Sequence, residues 1–219
     1  MTQKTQGECI GCKKMYAGAH AGQHLLKCED IKDFLDIQAP SGQGYMLKVA
    51  CAHQPNIYWM FITVPANAKL SYLDSFLRTT WLECCGHLSA FAIQGISYCI
   101  STDMGERSME KKVDKIFFPG LSFKYTYDFG SSTDLQMKVI DTVEACSSKE
   151  INVLMQNEAP VFKCEICKKD ASRICSYCFE TVCEKCMPSH ECVKNEEDDS
   201  MMLLLVNSPR VGVCGYDGF

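Results

Sequence analysis

The sequence predicts an α+β protein in which a central mixed body is flanked by small cysteine-rich modules. Three observations carry that reading. Period-two alternation marks strands on either side of a segment whose apolar residues recur at helical spacing. An aromatic hairpin pattern follows at 123–139. Cysteine and histidine crowd into two terminal segments at the short, paired spacings of metal ligands.

The first element is Cys9-x2-Cys12, followed by His20, His24 and Cys28. A Cys-x2-Cys knuckle delivers two thiolates to one tetrahedral ion, and two further ligands four residues apart share one face of a helix. Cys9, Cys12, His24 and Cys28 therefore form a candidate finger of the C2HC kind. His20 rivals Cys28 for the fourth place, since His20 and His24 have the same i, i+4 relation. Cys28 is preferred because a helical cysteine left unused beside three ligands would be surplus.

The body opens with Tyr45, Leu47, Val49 and Cys51 alternating against the opposite face, then the β-branched and aromatic run Ile57 to Val64, ended by Pro65. Two strands are expected. Leu70, Leu73, Phe76, Leu77 and Trp81 then predict a helix, with Asn67 or Ser71 as candidate N-cap. Phe91 to Ile100 reads as one strand. Met109, Val113 and Ile116 read as a short helix stopped by Pro119-Gly120. Phe123, Tyr125, Tyr127 and Phe129 share a face, Gly130 to Thr133 turns the chain, and Leu135, Met137 and Val139 complete a hairpin.

Between Cys164 and Cys192 stand eight ligand-type residues, in the order Cys164-x2-Cys167-x7-Cys175-x2-Cys178-x4-Cys183-x2-Cys186-x3-His190-x-Cys192. Four pairs imply two ions. Because Cys178 and Cys183 are so near in sequence, they serve most easily as neighbours in a turn between different sites. The expected arrangement is a cross-brace: Cys164, Cys167, Cys183 and Cys186 on one ion, Cys175, Cys178, His190 and Cys192 on the other. The spacing resembles B-box and HIT-type fingers, with a shorter closing His-x-Cys.

Glu196 to Asp199 read as a solvated linker, and the apolar run Met201 to Val206 as a buried strand returning to the body. Asn207-Ser-Pro-Arg210 would then turn over the body's surface, exposing Asn207 and Arg210. The domain boundaries expected are 1–37 for the finger and connecting helix, 45–150 for the body, 160–195 for the two-ion module, and 201–219 for the terminal strand and turn.

Phe123-Lys-Tyr-Thr-Tyr-Asp-Phe-Gly130 resembles the Tyr-Asp-Phe-Gly-Asp signature of the plasmid pRiA4b Orf-three-like family. Tyr72 to Phe91, with Trp81-Leu-Glu-Cys-Cys-Gly-His-Leu-Ser-Ala-Phe91, resembles that family's helix-to-His-Leu segment, and Val206 to Tyr216 is similar to the tail of its zinc-bearing archaeal and bacterial members. Where the family has Asp-Ser-Trp after the glycine, this chain has Ser131-Ser132-Thr133. The resemblance implies an α+β body over 45–145 and, from members often near mobile elements with no established reaction, no particular activity.

Sixteen cysteines raise the question of secretion, but Met1 to Ile10 is polar, and Gly, Ser, His and Gln interrupt the uncharged stretch Cys84 to Thr102. A cytoplasmic protein with no membrane partner is expected, and zinc rather than disulfides. The formal charge is −5. Ten ligand thiolates lower it by about 10 and three Zn²⁺ raise it by about 6, leaving about −9, so the chain does not advertise the basic surface that strong non-specific nucleic-acid binding needs, and the pairs Lys13-Lys14, Lys111-Lys112 and Lys168-Lys169 are the one source of a local basic patch. The function expected is a non-catalytic adaptor with about three Zn²⁺ per chain, binding a protein or nucleic-acid partner; a small-molecule substrate is not expected. The alternative is an enzyme using a pocket near His87, Asp128, Arg210 and Cys214. Cys84, Cys85 and His87, with Asp128 or Cys214 folded nearby, suggest a thiolate, a base and an orienting carboxylate, but their neighbours Trp81, Leu82, Leu88 and Phe91 suggest a packed interior where thiols are inert.

Overall fold

The computed structural model describes residues 4–38, 42–102, 105–144 and 150–218. It is α+β, and it divides into two compact units: Met1–Leu77 with Leu88–Glu158, and Arg78–His87 with Ala159–Phe219.

The first unit begins with a hairpin of β1 (Gln6–Glu8) and β2 (Met15–Ala17), then α1 (Gly18–Leu25) and α2 (Glu29–Gln38). Next come β3 (Gly44–Cys51), β4 (Trp59–Pro65), α3 (Leu70–Leu77), β5 (Ser89–Ile93), β6 (Ile96–Cys99), β7 (Arg107–Ser108), β8 (Ser122–Tyr127), β9 (Thr133–Val143) and β10 (Asn152–Gln156). The eight strands from β3 to β10 form one sheet in the order β10-β4-β3-β9-β8-β5-β6-β7, antiparallel except for the β6–β7 pair.

Strand β4 is buried at every position, as a central strand covered on both faces must be. On one face Trp59 and Phe61, with Met46 and Ala50 of β3, share a core with Cys9, Ala21, Leu25, Cys28, Ile31 and Leu35. The N-terminal finger is thus part of this unit and not a separate module. Gly18 and Gly22, one turn apart, let α1 lie against that face: a Cβ at Gly18 would stand 2.8 Å from the Trp59 ring and one at Gly22 3.1 Å from Phe61. Elsewhere in the unit, Asp74 of α3 is buried and accepts hydrogen bonds from Ser89 Oγ (2.5 Å) and Tyr125 Oη (2.7 Å), which ties the helix to the sheet.

Several elements differ from the sequence reading. The strand expected over 91–100 is a hairpin: Gln94 (φ 50°) and Gly95 (φ 78°) make a two-residue turn with both residues left-handed, pairing Ile93 with Ile96. Phe129 leaves the aromatic face and is exposed, because Asp128 at φ 64° breaks the alternation that buries Phe123, Tyr125 and Tyr127. The helix expected near 109–116 is a single 3₁₀ turn, Val113–Lys115. Helix α3 starts at Leu70, one residue before Ser71 and three after Asn67, and the chain continues from it as a π-helical turn, Arg78–Leu82.

The second unit contains that turn, β11 (Arg173–Cys175), β12 (Thr181–Val182), α4 (Glu191–Glu196) and β13 (Met202–Leu204). The strands form a small sheet in the order β12-β11-β13. Here the tail departs from expectation: Met202–Leu204 pairs with Arg173–Cys175, so the terminal strand completes the cysteine-rich module and does not return to the large sheet. The reason lies in its burial. Only Met201 and Met202 are fully buried, whereas Leu204 is exposed, which suits the edge of a three-stranded sheet. The apolar core is small, Cys164, Cys175, Val182, Met201 and Met202. Among the described residues no helix is long and apolar enough to cross a membrane.

Candidate metal centres

Four clusters in the described chain could hold a metal ion, each bringing four Cys and His ligand atoms within 4.8 Å of one another. Three are Cys9, Cys12, His24 and Cys28; Cys164, Cys167, Cys183 and Cys186; and Cys175, Cys178, His190 and Cys192. The fourth is Cys84, Cys85, His87 and Cys214.

Three Cys-x2-Cys knuckles are built alike. In each, the N–H of the first cysteine bonds a carbonyl five residues on: Cys9 to Lys14 (3.0 Å), Cys164 to Lys169 (2.7 Å) and Cys175 to Glu180 (2.9 Å). The N–H of the residue after the second cysteine returns to the first cysteine's carbonyl, from Lys13 (2.9 Å), Lys168 (2.8 Å) and Phe179 (2.9 Å). All three returning residues are left-handed, with φ 59°, 61° and 62°. That conformation costs an L-residue roughly 1–2 kcal/mol, so the knuckle imposes it where local preference would not. The Cys183-x2-Cys186 pair uses a helical turn, with N–H groups of Cys186 and Met187 on the Cys183 carbonyl.

In the N-terminal cluster Cys12 Sγ stands 3.4 Å from His24 Nε2, and Cys9 Sγ 4.0 Å from Cys28 Sγ. The His24 ring stacks on Tyr16 with centroids 3.8 Å apart. His20 is exposed and outside the cluster. The route to Cys28 differs from a shared helix face: α1 ends at Leu25, and Cys28 heads α2, its carbonyl accepting from Ile31 at 3.1 Å. In the cross-brace clusters Cys167 and Cys183 sulfurs are 3.7 Å apart, and Cys178 Sγ is 3.4 Å from His190 Nε2. The opposite nitrogen of His190, Nδ1, faces Glu180 at 3.5 Å, and the ring is buried.

Gathering three or four thiols in one place splits their acidities. Burial opposes ionisation of Cys164, but N–H groups of Cys167, Cys183 and Ile166 outweigh it and bring its pKa down to about 6. Cys175 falls to about 7 in the same way, against burial, through N–H groups of Cys178 and Tyr177 and the His190 ring. The Cys167 contact, then burial, push Cys186 up to about 12. Burial, then Cys175, does the same to Cys192. Adjacent thiolates repel, and a divalent cation is what lets the four thiols of one cluster and the three of the other ionise together.

The fourth cluster corrects the sequence reading, which placed its cysteines in a packed interior. Cys85 and Cys214 are exposed and Cys84 is half-buried. Arg210, expected on the surface, is fully buried. Asp128 uses its carboxylate locally, accepting from the N–H groups of Gly130 (2.9 Å) and Ser131 (3.2 Å). The signal available in the sequence was the Cys-Cys-Gly-His string matched by a distant Cys214-Gly215. Cys51 is buried and Cys99 half-buried, both outside the clusters, and Cys146 lies outside the described residues.

No protein-family model and no curated protein matches the chain. Among solved structures, it is similar to a protein of unknown function, MM3350, from Methanosarcina mazei Go1. The two are 21% identical with a TM-score of 0.45, over 52% of this chain and 68% of that one.

Proposed function

We propose that the protein is a zinc-stabilised, non-catalytic adaptor whose cross-brace module docks a protein partner. Zinc fits the donor chemistry. One tetrahedral ion with Zn–S of about 2.3 Å and Zn–N of about 2.0–2.1 Å sets its ligands about 3.8 Å apart sulfur to sulfur and about 3.5 Å apart sulfur to nitrogen. The separations of 3.7 to 4.0 Å and of 3.4 Å fall on those edges. Thiolate and imidazole together are soft ligands that zinc accepts in closed, four-coordinate structural sites. The pairing alternates along the chain, so each ion clamps two distant pairs, which stabilises a module whose apolar core is five residues.

The observation that carries the adaptor reading is what the knuckles display. Ile166 lies inside the Cys164–Cys167 knuckle, Tyr177 inside Cys175–Cys178, and Phe179 follows immediately. They are 49%, 65% and 58% exposed. Large apolar side chains held out to water on metal-locked loops are rigid and lose little entropy on docking, as recognition anchors do. The acidic net charge favours a protein over a phosphate backbone. The enzyme alternative has less support, because Asp128 is engaged in its own turn and Arg210 is buried.

The test is capture from native lysate under nuclease treatment, comparing the wild-type chain with a Tyr177→Ser, Phe179→Ser double variant. The variant should keep its zinc and lose the captured protein. Capture that survives the double variant, or that nuclease abolishes, overturns the reading.

A further inference from the structure

The geometry points to a fourth zinc site, formed by Cys84, Cys85, His87 and Cys214, that staples the Arg78–His87 segment to the C-terminal tail within the second unit. These residues come from two stretches 129 positions apart: Cys85 Sγ is 3.9 Å from Cys214 Sγ, and His87 Nε2 is 3.3 Å from the same sulfur. Those are again the edges of a zinc tetrahedron, about 3.8 and 3.5 Å, and well beyond the 2.05 Å or so of a disulfide.

Both stretches are shaped to deliver the ligands. Gly86 sits at φ 73° between Cys85 and His87, and its N–H donates to Glu83 Oε1 (2.5 Å). Arg78 fastens the loop from both ends, with Nη1 on Glu83 Oε2 (2.7 Å) and Nη2 on the His87 carbonyl (2.5 Å). On the tail, Cys214 is left-handed at φ 53° and is followed by Gly215 at 68°. Ser208 Oγ donates to the Trp81 carbonyl (2.5 Å), which aligns the tail with the loop before the ligands meet.

The second, independent observation is Arg210. Its side chain is fully buried, and its Nη2 donates to Cys84 Sγ at 3.4 Å. An arginine stays charged under all ordinary conditions, and a buried cation needs a buried anion. Three thiolates, one neutral imidazole and a divalent ion leave one net negative charge on the centre. Arg210, donating to Cys84, favours the thiolate form of that ligand.

The site goes beyond partner binding and is testable apart from it. Full-length protein is reconstituted with Zn²⁺ under anaerobic, reducing conditions and read by native mass spectrometry. The wild type should hold four ions, one per cluster, and Cys214→Ser three. Cys214→His, which restores a ligand, should return to four. Without relying on any variant, alkylation mapping of the wild type should find Cys84, Cys85 and Cys214 shielded while zinc is bound. They should become labelled once chelator is added, with the two exposed thiols reacting first. Three ions in the wild type, four retained in Cys214→Ser, labelling indifferent to zinc, or a Cys85–Cys214 disulfide in the freshly purified, reduced protein would each overturn it. The cross-brace reading fails separately, if the Cys164 and Cys175 clusters stay empty.

Discussion

Glu180 Oε2 lies 3.5 Å from Nδ1 of the buried His190, while Nε2 of that ring faces Cys178 at 3.4 Å. The carboxylate therefore fixes which nitrogen carries the proton and leaves Nε2 as the lone-pair donor to a metal. Such outer partners orient the ligand. Glu180→Ala should weaken zinc at this centre by about 10- to 100-fold and leave the Cys164 centre unchanged, because Glu180 bridges no ligand there. Competition with a chromophoric chelator measures it. Equal loss at both centres would mean that Glu180 supports the module's backbone and not the histidine.

The left-handed residue closing each knuckle gives a stability prediction. Lys13 at φ 59° is exposed and pairs with Glu8 at 3.7 Å, both side chains being solvent-accessible. Glycine adopts this φ without strain. Lys13→Gly should therefore raise stability by about 0.5–1 kcal/mol, the relief of strain exceeding the added entropy of the unfolded chain. Denaturant midpoints of the zinc-loaded protein check it, and a lower midpoint would show that Lys13 is held by contacts its conformation does not reveal.

Lys48 of β3 sits directly opposite Lys138 of β9. Burial, then Lys138, lowers the Lys48 pKa, although its ammonium stands 5.9 Å over the Phe61 ring. The folded state thus holds that proton less tightly than the unfolded chain does. The resulting penalty is full at neutral pH and fades only as pH rises through the depressed folded value towards 10.5, the ordinary lysine value. Lys138→Glu should remove part of it, raising stability at pH 7 by roughly 0.5 kcal/mol after screening by solvent. The gain should shrink in high salt. A salt-independent change would place the effect in packing.

What the sequence made legible followed its periodicities. The twelve predicted ligands fall into three of the four clusters because Cys-x2-Cys spacing is a local constraint: two residues of separation suffice to aim both sulfurs at one point. The alternating strands 44–51 and 122–127 were legible for the same reason. What stayed hidden depended on long-range pairing. Nothing near Met202 says that it pairs with Cys175 and not with the large sheet. Cys84, Cys85 and His87 pointed to Cys214 only as one of several candidates for a catalytic pocket, because no local spacing fixes a ligand 129 residues away. Arg210 looked like a surface residue because arginine usually is one, and the sulfur it faces lies 126 residues away in sequence. The Gln94-Gly95 turn was missed because glutamine is not a customary left-handed residue.

The N-terminal centre shares its core with the large sheet, which sets how far its loss should spread. Cys9 and Cys28 are buried with Trp59, Phe61, Leu154 and Met155, whereas Cys12 is half-buried at the edge of that cluster. Cys12→Ser removes one ligand while leaving the buried sulfurs in the apolar core. Without metal, the β1–β2 hairpin, α1 and α2 keep their apolar contacts and a few backbone hydrogen bonds, Ile10 N–H to the Leu154 carbonyl (3.0 Å) and Glu158 N–H to the Gln6 carbonyl (2.7 Å) among them, while their own strand pairing is three residues long. Strands β3, β9 and β8, paired over eight and six registered positions, are held independently. Hydrogen exchange of the variant should therefore quicken over 6–38 and remain slow over 45–50 and 122–139, with β4 between these limits because Trp59 and Phe61 lose their cover. Uniform quickening across the sheet would show that metal at Cys9, Cys12, His24 and Cys28 is required for the whole unit to fold.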